Sequence, residues 1–153
     1  ENLEIKPQDN VGDLYNKLMK LGADVIVKTT KAIESDDSTP LPQAESLKLK
    51  AAPKIFKETC EINWHNKALT IHNLVRGLSP YPVAWTLLKE KACKIYETEL
   101  TEIPSNGDAG TVDSDGKTYF HFNTNDVQLK VHRIQLQGKK QMAIADFLRG
   151  YQL

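Results

Sequence analysis

Four histidines (65, 72, 121 and 132) and two cysteines (60 and 93) are the side chains of this sequence best suited to hold a metal or move a proton. His65 and His72 stand seven residues apart, two turns of a helix, too far to share an ion without a third ligand, and His121 and His132 fall in different strand-like stretches. There is no HExxH, no Cys-His cluster and no glycine-rich phosphate loop, and Ser79 lacks the flanks of a nucleophile elbow. The cysteines have no CxxC partner and read as free core thiols. Catalytic and metal chemistry therefore find no constellation here, and what remains is binding through charge.

Lys48, Lys50, Lys54 and Lys57 accumulate ahead of Glu58 in a proline-interrupted stretch. A lysine needs only to lie near a phosphate, so an extended basic segment can follow a sugar-phosphate backbone; the same composition also suits a solvated tether. Arg76, Lys89, Lys91, Lys94, Lys130, Arg133 and Arg149 add charge further on, and Lys139-Lys140 follows Gly138 in an expected exposed turn. Tyr81, Trp85 and Tyr119 offer surfaces on which bases can stack, although Trp64 and Trp85, flanked by apolar residues, suit core or interface packing better.

The whole chain is formally neutral, with 20 Lys+Arg against 20 Asp+Glu in 153 residues. Neutrality argues against a uniformly basic nucleic-acid coat. It is a cancellation, however: residues 1–45 carry five lysines and nine acids, and residues 46–153 carry fifteen basic and eleven acidic side chains. The hydrophobic share of 40% and charged share of 26% are those of a globular domain, and no apolar run approaches the roughly 20 residues of a membrane span. The chain is expected to be soluble and cytoplasmic. Glu1 to Ile5 alternates like the end of a strand with no partner before it, which suggests a piece of a longer protein.

The elements that must position these residues come in two kinds. Val11, Leu14, Leu18, Leu21, Val25 and Ala32 recur at helical spacing, with Asn10 as N-cap, Asp13 as its capping-box partner, and Ser35 to Pro40 as the stop. A lone amphipathic helix needs a partner, so an uncovered stripe carries a risk of self-association. A second helix is expected over residues 66–76, ended by Gly77 in the left-handed conformation, followed by an extended, rigid path through Ser79-Pro80-Tyr81-Pro82. Strand patterns then occupy 84–88, 92–100, 110–112, 117–123 and 127–136. Phe120 and Phe122 share one face and Tyr119 and His121 the other. In the last strand Val127, Leu129 and Val131 face one way, and the inward set resumes one residue late at Ile134 and Leu136, which predicts a bulge at His132-Arg133. Five short strands with flanking helices fit a mainly β fold, a small five-stranded OB-like barrel, a pattern that SH3-like barrels share.

Several stretches together resemble the C-terminal part of the methionyl-tRNA formyltransferases: Ala52-Pro53-Lys54-Ile55 with Lys57-Glu58, Ile62-Asn63-Trp64, the run Ile71 to Trp85, then Leu136-Gln137-Gly138-Lys139-Lys140-Gln141-Met142 with Asp146-Phe147-Leu148-Arg149-Gly150. The Gly12 to Asp24 segment is similar to the last helix of that family's catalytic domain. The resemblance implies three parts: residues 1–36 as the helical remnant of a Rossmann-like catalytic domain, 37–62 as a basic linker, and 63–153 as a helix plus the OB-like barrel. It implies a parent enzyme that moves a formyl group from 10-formyltetrahydrofolate to the amino group of methionyl initiator tRNA, with its catalytic Asn, His and Asp and its folate pocket upstream of Glu1.

This chain would then be catalytically silent and bind no cofactor itself. Its partners would be the initiator tRNA and its own N-terminal catalytic domain, in a monomeric parent, with no membrane. Lys48, Lys50, Lys54, Lys57, Arg76, Lys139 and Lys140 are the expected RNA contacts. A docking domain of a related formyl-folate enzyme, such as a sugar-amine formyltransferase or formyltetrahydrofolate dehydrogenase, is the alternative. The chain departs from the family pattern at His65 and Ala143, where a capping hydroxyl is common, so the helices that follow are expected to be capped less well or to start later. It departs again at Val83, where glycine is frequent.

Overall fold

The computed structural model describes residues 1–42 and 51–151. Helix α1 (Val11–Glu34) begins as its sequence dictates: Asn10 Oδ1 accepts from Asp13 N at 3.0 Å and the Asp13 carboxylate accepts from Asn10 N at 3.1 Å, satisfying two of the donors a helix start leaves open. It ends at Ser35, whose hydroxyl donates to Lys31 O. No residue of α1 is fully buried. The stripe is half-covered at Val11, Leu14, Leu21, Val25 and Ala32, while Leu18, Met19, Ile26, Val27 and Ile33 are exposed.

Among the described residues, the hydrogen bonds that tie α1 to the body come from its first turn and the residue before its cap. Gly12 N donates to Ser79 O at 3.2 Å, and a Cβ on Gly12 would lie 2.6 Å from Pro80 Cδ, so this contact requires glycine. Arg76 Nη1 donates to Asp9 O at 3.0 Å.

Helix α2 (Ala68–Leu78) starts later than expected. Its N-cap, Lys67, makes no side-chain bond, and Asp126 Oδ1, 58 positions away, accepts from Ala68 N at 2.8 Å instead. Gly77 does not end the helix. It stays helical, because Leu78 beyond it is buried and its carbonyl accepts from Val83 N at 2.9 Å. Nor is the proline segment extended: Ser79 to Pro82 form a turn, with cis bonds before Pro80 and Pro82. The left-handed backbone falls on Val83, φ +80°, at the position where glycine is frequent.

Among the described residues six antiparallel strands follow, one more than the sequence pattern suggests: β1 (Ala84–Leu88), β2 (Lys91–Pro104), β3 (Val112–Asp113), β4 (His121–Asn123), β5 (Val127–Leu136) and β6 (Met142–Ala143). They run in the order β1-β2-β5-β4-β3, with β6 also paired to β5, forming a curled half-barrel. β1 and β5 have the expected bounds. β2 is longer, β3 and β4 are shorter, and two-residue β6 carries too little pattern to be read. The expected bulge is present. Pairing passes from Ile95↔Ile134 through Glu97↔Arg133 to Thr98↔Val131, which lets Val131 and Ile134 both face inward. Helix α3 (Ile144–Gly150) closes the fold without a side-chain cap at Ala143.

The core lies between α2, α3 and the inner face of the sheet, where Ile95, Leu129 and Ile134 are fully buried. Trp64 stacks on Phe122 with centroids 4.1 Å apart and gives its indole N–H to Thr86 Oγ1 at 2.9 Å. Gly110, φ +89°, rests on that indole, where a Cβ would come within 2.9 Å of Trp64 Cδ1. Cys60 and Ile62, at the end of the stretch read as a linker, are part of this core. Both thiols are free and buried, and burial pushes the Cys93 thiol up to about 12. Among the described residues, no group of three His, Cys, Asp or Glu side chains is placed to hold a metal, and no helix is long and apolar enough to cross a membrane.

Candidate nucleic-acid interface

Side chains alternate across a strand, so once Ala84, Thr86 and Leu88 of β1 are buried, Trp85 must face outward. The two tryptophans, alike in sequence context, are thereby separated. Trp64 is a core residue, and Trp85 is a half-exposed element of the outer face. Its surroundings are built by the chain before α2. Ile62 N donates to Trp85 O at 2.8 Å and Glu61 bridges Trp85 in parallel, which covers the edge of β1. The Trp85 indole N–H donates to Lys57 O at 3.0 Å, and the Lys57 ammonium lies 5.4 Å from the indole centroid. A short 3-10 turn, Glu58–Cys60, holds Lys57 at the entrance to this segment. Lys54 stands 5.4 Å over the exposed ring of Phe56.

Strand register carries the surface across the sheet. Trp85 pairs with Lys94 on β2, and Lys94 pairs with Gln135 on β5, forming one outward row. Gln135 is tied down on both sides: its Oε1 accepts from Tyr96 Oη at 2.8 Å, and its Nε2 donates to Lys139 O at 2.9 Å. The second bond anchors the β5–β6 turn, where Gly138 takes φ +77° and Lys139 N donates to Leu136 O. Lys139 and Lys140 are exposed at its tip. Lys57, Lys94, Lys139 and Lys140 make no ion pair with another described residue.

Further along the same face the charge is mixed. Glu97 pairs with Arg133 at 3.7 Å, and Glu99 accepts from Lys130 at 2.9 Å and His132 at 2.7 Å, bonds that hold the Glu99 carboxyl below its ordinary range. Such exposed pairs contribute little stability, but they cancel the field at that end. The basic strip is therefore confined to the end carrying Trp85.

Of the residues singled out by sequence, the structure brings Lys57 and the Lys139-Lys140 turn to the two margins of one face, with Trp85 and Lys94 between. Lys54 is nearby in the chain. Arg76 lies elsewhere, on α2, with Nε donating to Asn73 Oδ1 at 2.8 Å and Nη1 to Asp9 O, so two of its donors are already engaged. Lys48 and Lys50 lie outside the described residues. Tyr81 is exposed in the proline turn, and Tyr119 is half-exposed with its hydroxyl on Asp113 Oδ1 at 3.1 Å. Tyr96 and Gln135 were invisible from sequence as site residues. Only the alternation of β2 and β5, read jointly in register, could have placed them beside Lys94.

Residues 54–152 match the family model of the formyl transferase C-terminal domain. A methionyl-tRNA formyltransferase of Phocaeicola vulgatus is 43% identical over 96% of this chain and 48% of its own length. One from Azobacteroides pseudotrichonymphae is 42% identical over 98% of this chain and 49% of its own. The chain thus spans about half the length of the curated relatives it matches. Among solved structures, HypX from Aquifex aeolicus superposes with a TM-score of 0.69 at 16% identity, covering 95% of this chain and 27% of that one. A second structure of HypX, in complex with tetrahydrofolic acid, has a TM-score of 0.61 at 18% identity over 82% of this chain and 22% of that one.

Proposed function

The chain belongs to the formyl transferase C-terminal domain family, and from that premise we propose that it is the RNA-holding, catalytically silent part of a methionyl-tRNA formyltransferase. The parent would transfer a formyl group from 10-formyltetrahydrofolate to methionyl initiator tRNA in the cytoplasm. The formyl donor and the chemistry belong to the half of the relatives that this chain does not span. In this reading residues 1–36 are the tail of the catalytic domain, 37–62 the connector, and 63–153 a barrel of OB-like type.

The observation that carries the proposal is the outer strip itself. Lys57, Lys94, Lys139 and Lys140 have no ion-pair partner among the described residues, and Trp85 stands half-exposed between them. Cations left without partners are free to replace the counterions of a phosphate backbone, which is what salt-dependent RNA binding requires. With Lys48, Lys50 and Lys54 on the connector, four to six phosphate contacts would give a log-log salt slope of about −4 to −5 and an isolated Kd of about 10⁻⁴ to 10⁻⁶ M. Titration of tRNA at two ionic strengths tests this. No binding at low salt, or binding indifferent to salt, overturns it.

One further reading is a docking domain in a related formyl-folate enzyme, since the fold recurs in HypX, which has been solved with tetrahydrofolic acid. Replacing Lys57, Lys139 and Lys140 by alanine in the full-length parent separates the two. Loss of tRNA formylation with folate binding intact supports the RNA role, and a parent that formylates no tRNA with or without the substitutions supports docking.

A further inference from the structure

At the far end of the outer face, away from the basic strip, lies a cleft of about 530 Å³ whose polar wall comes from three strands. Gln128 on β5, 1% exposed, donates from Nε2 to Asp113 Oδ2 on β3 at 2.7 Å, and its Oε1 lies 2.9 Å from His121 Nδ1 on β4. Asp113 accepts as well from Asn106 Nδ2 at 2.9 Å and Tyr119 Oη at 3.1 Å. The hydrogen bonds from Gln128, Asn106 and Tyr119 hold its carboxyl below the ordinary range, so it is charged at neutral pH.

A carboxylate can only accept, so the amide nitrogen of Gln128 must face Asp113 and the amide oxygen must face His121. His121 Nδ1 therefore carries the ring proton, and Nε2 of the neutral imidazole keeps its lone pair. His121 is 6% exposed, yet Nε2 has no partner among the described residues and is not sealed from solvent, so it opens into the cleft it lines. With Nδ1 turned to the amide oxygen, Nε2 is the ring atom left to meet a ligand.

The other walls fit a flat ligand. The Tyr119 ring lies 4.9 Å from the imidazole and is half-exposed, and Leu100 and Ile103 on β2 supply an apolar side. Lys130, the register partner of His121, stands at the rim on Glu99, which keeps His132 at 2.7 Å if the lysine turns away.

An aromatic face, an apolar wall, an inward imidazole acceptor beside the already bonded carboxylates of Asp113 and Glu99, and a cation at the rim are the complement of a nucleotide. We propose that this cleft seats one unstacked ribonucleotide, its base against Tyr119, its 2′-hydroxyl donating to His121 Nε2 and its phosphate near Lys130. That the nucleotide comes from an RNA strand rests on the reading above. A free mononucleotide offers the same chemistry.

The test uses the 153-residue chain with three probes: a short single-stranded oligoribonucleotide, its deoxy counterpart, and adenosine monophosphate. Binding is read by anisotropy and by the ring resonances of His121. The ribo-oligonucleotide should bind roughly three- to tenfold more tightly than the deoxy form, the worth of one neutral hydrogen bond. His121→Phe should erase that preference, and Tyr119→Phe, which drops the bond to Asp113 but keeps the ring, should weaken both oligonucleotides less than Tyr119→Leu. Lys139→Ala with Lys140→Ala should weaken both forms alike and leave the preference intact.

A shift of His121 by adenosine monophosphate, absent with the deoxy analogue, supports the cleft with a free nucleotide as occupant even if no oligonucleotide binds, in which case only the RNA reading fails. Salt-dependent RNA binding that neither moves His121 nor distinguishes ribose from deoxyribose overturns the cleft and leaves the RNA reading standing.

Discussion

Helix α1 and the sheet body carry apolar patterns of similar regularity, but the structure uses them differently. In the body, every inward position of β1 and β5 meets a neighbour, and Trp64, Phe120, Phe122 and Phe147 interlock at aromatic distances. In α1 the stripe is as periodic, yet its hydrogen bonds to the body among the described residues are those of Gly12 with Ser79 and, just before the helix, of Asp9 with Arg76, and nothing on it is fully buried. Periodicity reports that a face wants covering; it does not say whether the cover lies within the same folded unit. Stability should therefore reside almost wholly in the body, and α1 should behave as an arm.

The widest separation of the two regions comes from truncating one apolar side chain in each. Phe122→Ala should cost about 3–5 kcal/mol in urea unfolding, whereas Leu18→Ala should stay within about 0.5 kcal/mol. Equal costs would mean that α1 is part of the core. Next come the two glycines. Gly110→Ala forces a side chain into the left-handed region against Trp64 and should cost about 1–3 kcal/mol. Gly12→Ala meets Pro80 instead, so it should speed limited proteolysis around residues 35–42 while leaving the unfolding midpoint of the body in place. A lowered midpoint would tie the arm to the body.

Smaller is Val83→Gly. The substitution loses a buried isopropyl group but removes a β-branched residue from φ +80°, so opposing effects of about 1–3 kcal/mol should nearly cancel. Val131→Gly, with no such strain to remove, should be clearly destabilising under the same denaturant titration.

The smallest effect concerns His72, which faces Thr98 Oγ1 at 2.9 Å and is kept neutral below its ordinary range chiefly by burial, with Arg76 adding to it. The unfolded chain protonates this ring near pH 6.5, before the folded one does, so stability should fall as pH drops below about 6.5. His72→Gln should flatten that part of the profile.

Much of the body was legible because alternation is a strong signal when one face is buried. The bounds of β1 and β5 and the bulge at His132-Arg133 follow from it directly. Local rules failed where tertiary packing outweighed them. Gly77 is a good helix stop by itself, but Leu78 has a buried place to fill. Two prolines suggest an extended path, yet the chain must turn back to begin β1. β6, with two residues, has no pattern to read.

The candidate interface was half legible as a surface. Lysines announce themselves, but their grouping with Tyr96 and Gln135 depends on register between strands some forty residues apart. The His121 cleft was further out of reach, since Asp113, His121 and Gln128 show no recognisable spacing and meet only because β3, β4 and β5 are neighbours.

Cys60 and Cys93, 2% and 1% exposed, give the protein an internal gauge of its own opening. A thiol reagent attacks the thiolate, and burial both screens these sulfurs and keeps Cys93 protonated, so labelling must wait until the surrounding wall parts. One thiol lies in the 3-10 turn beneath Lys57, the other in β2 beside Lys94. Their labelling times, compared with and without a bound polyanion, would register from inside the wall whether occupancy of the basic strip stiffens the sheet behind it.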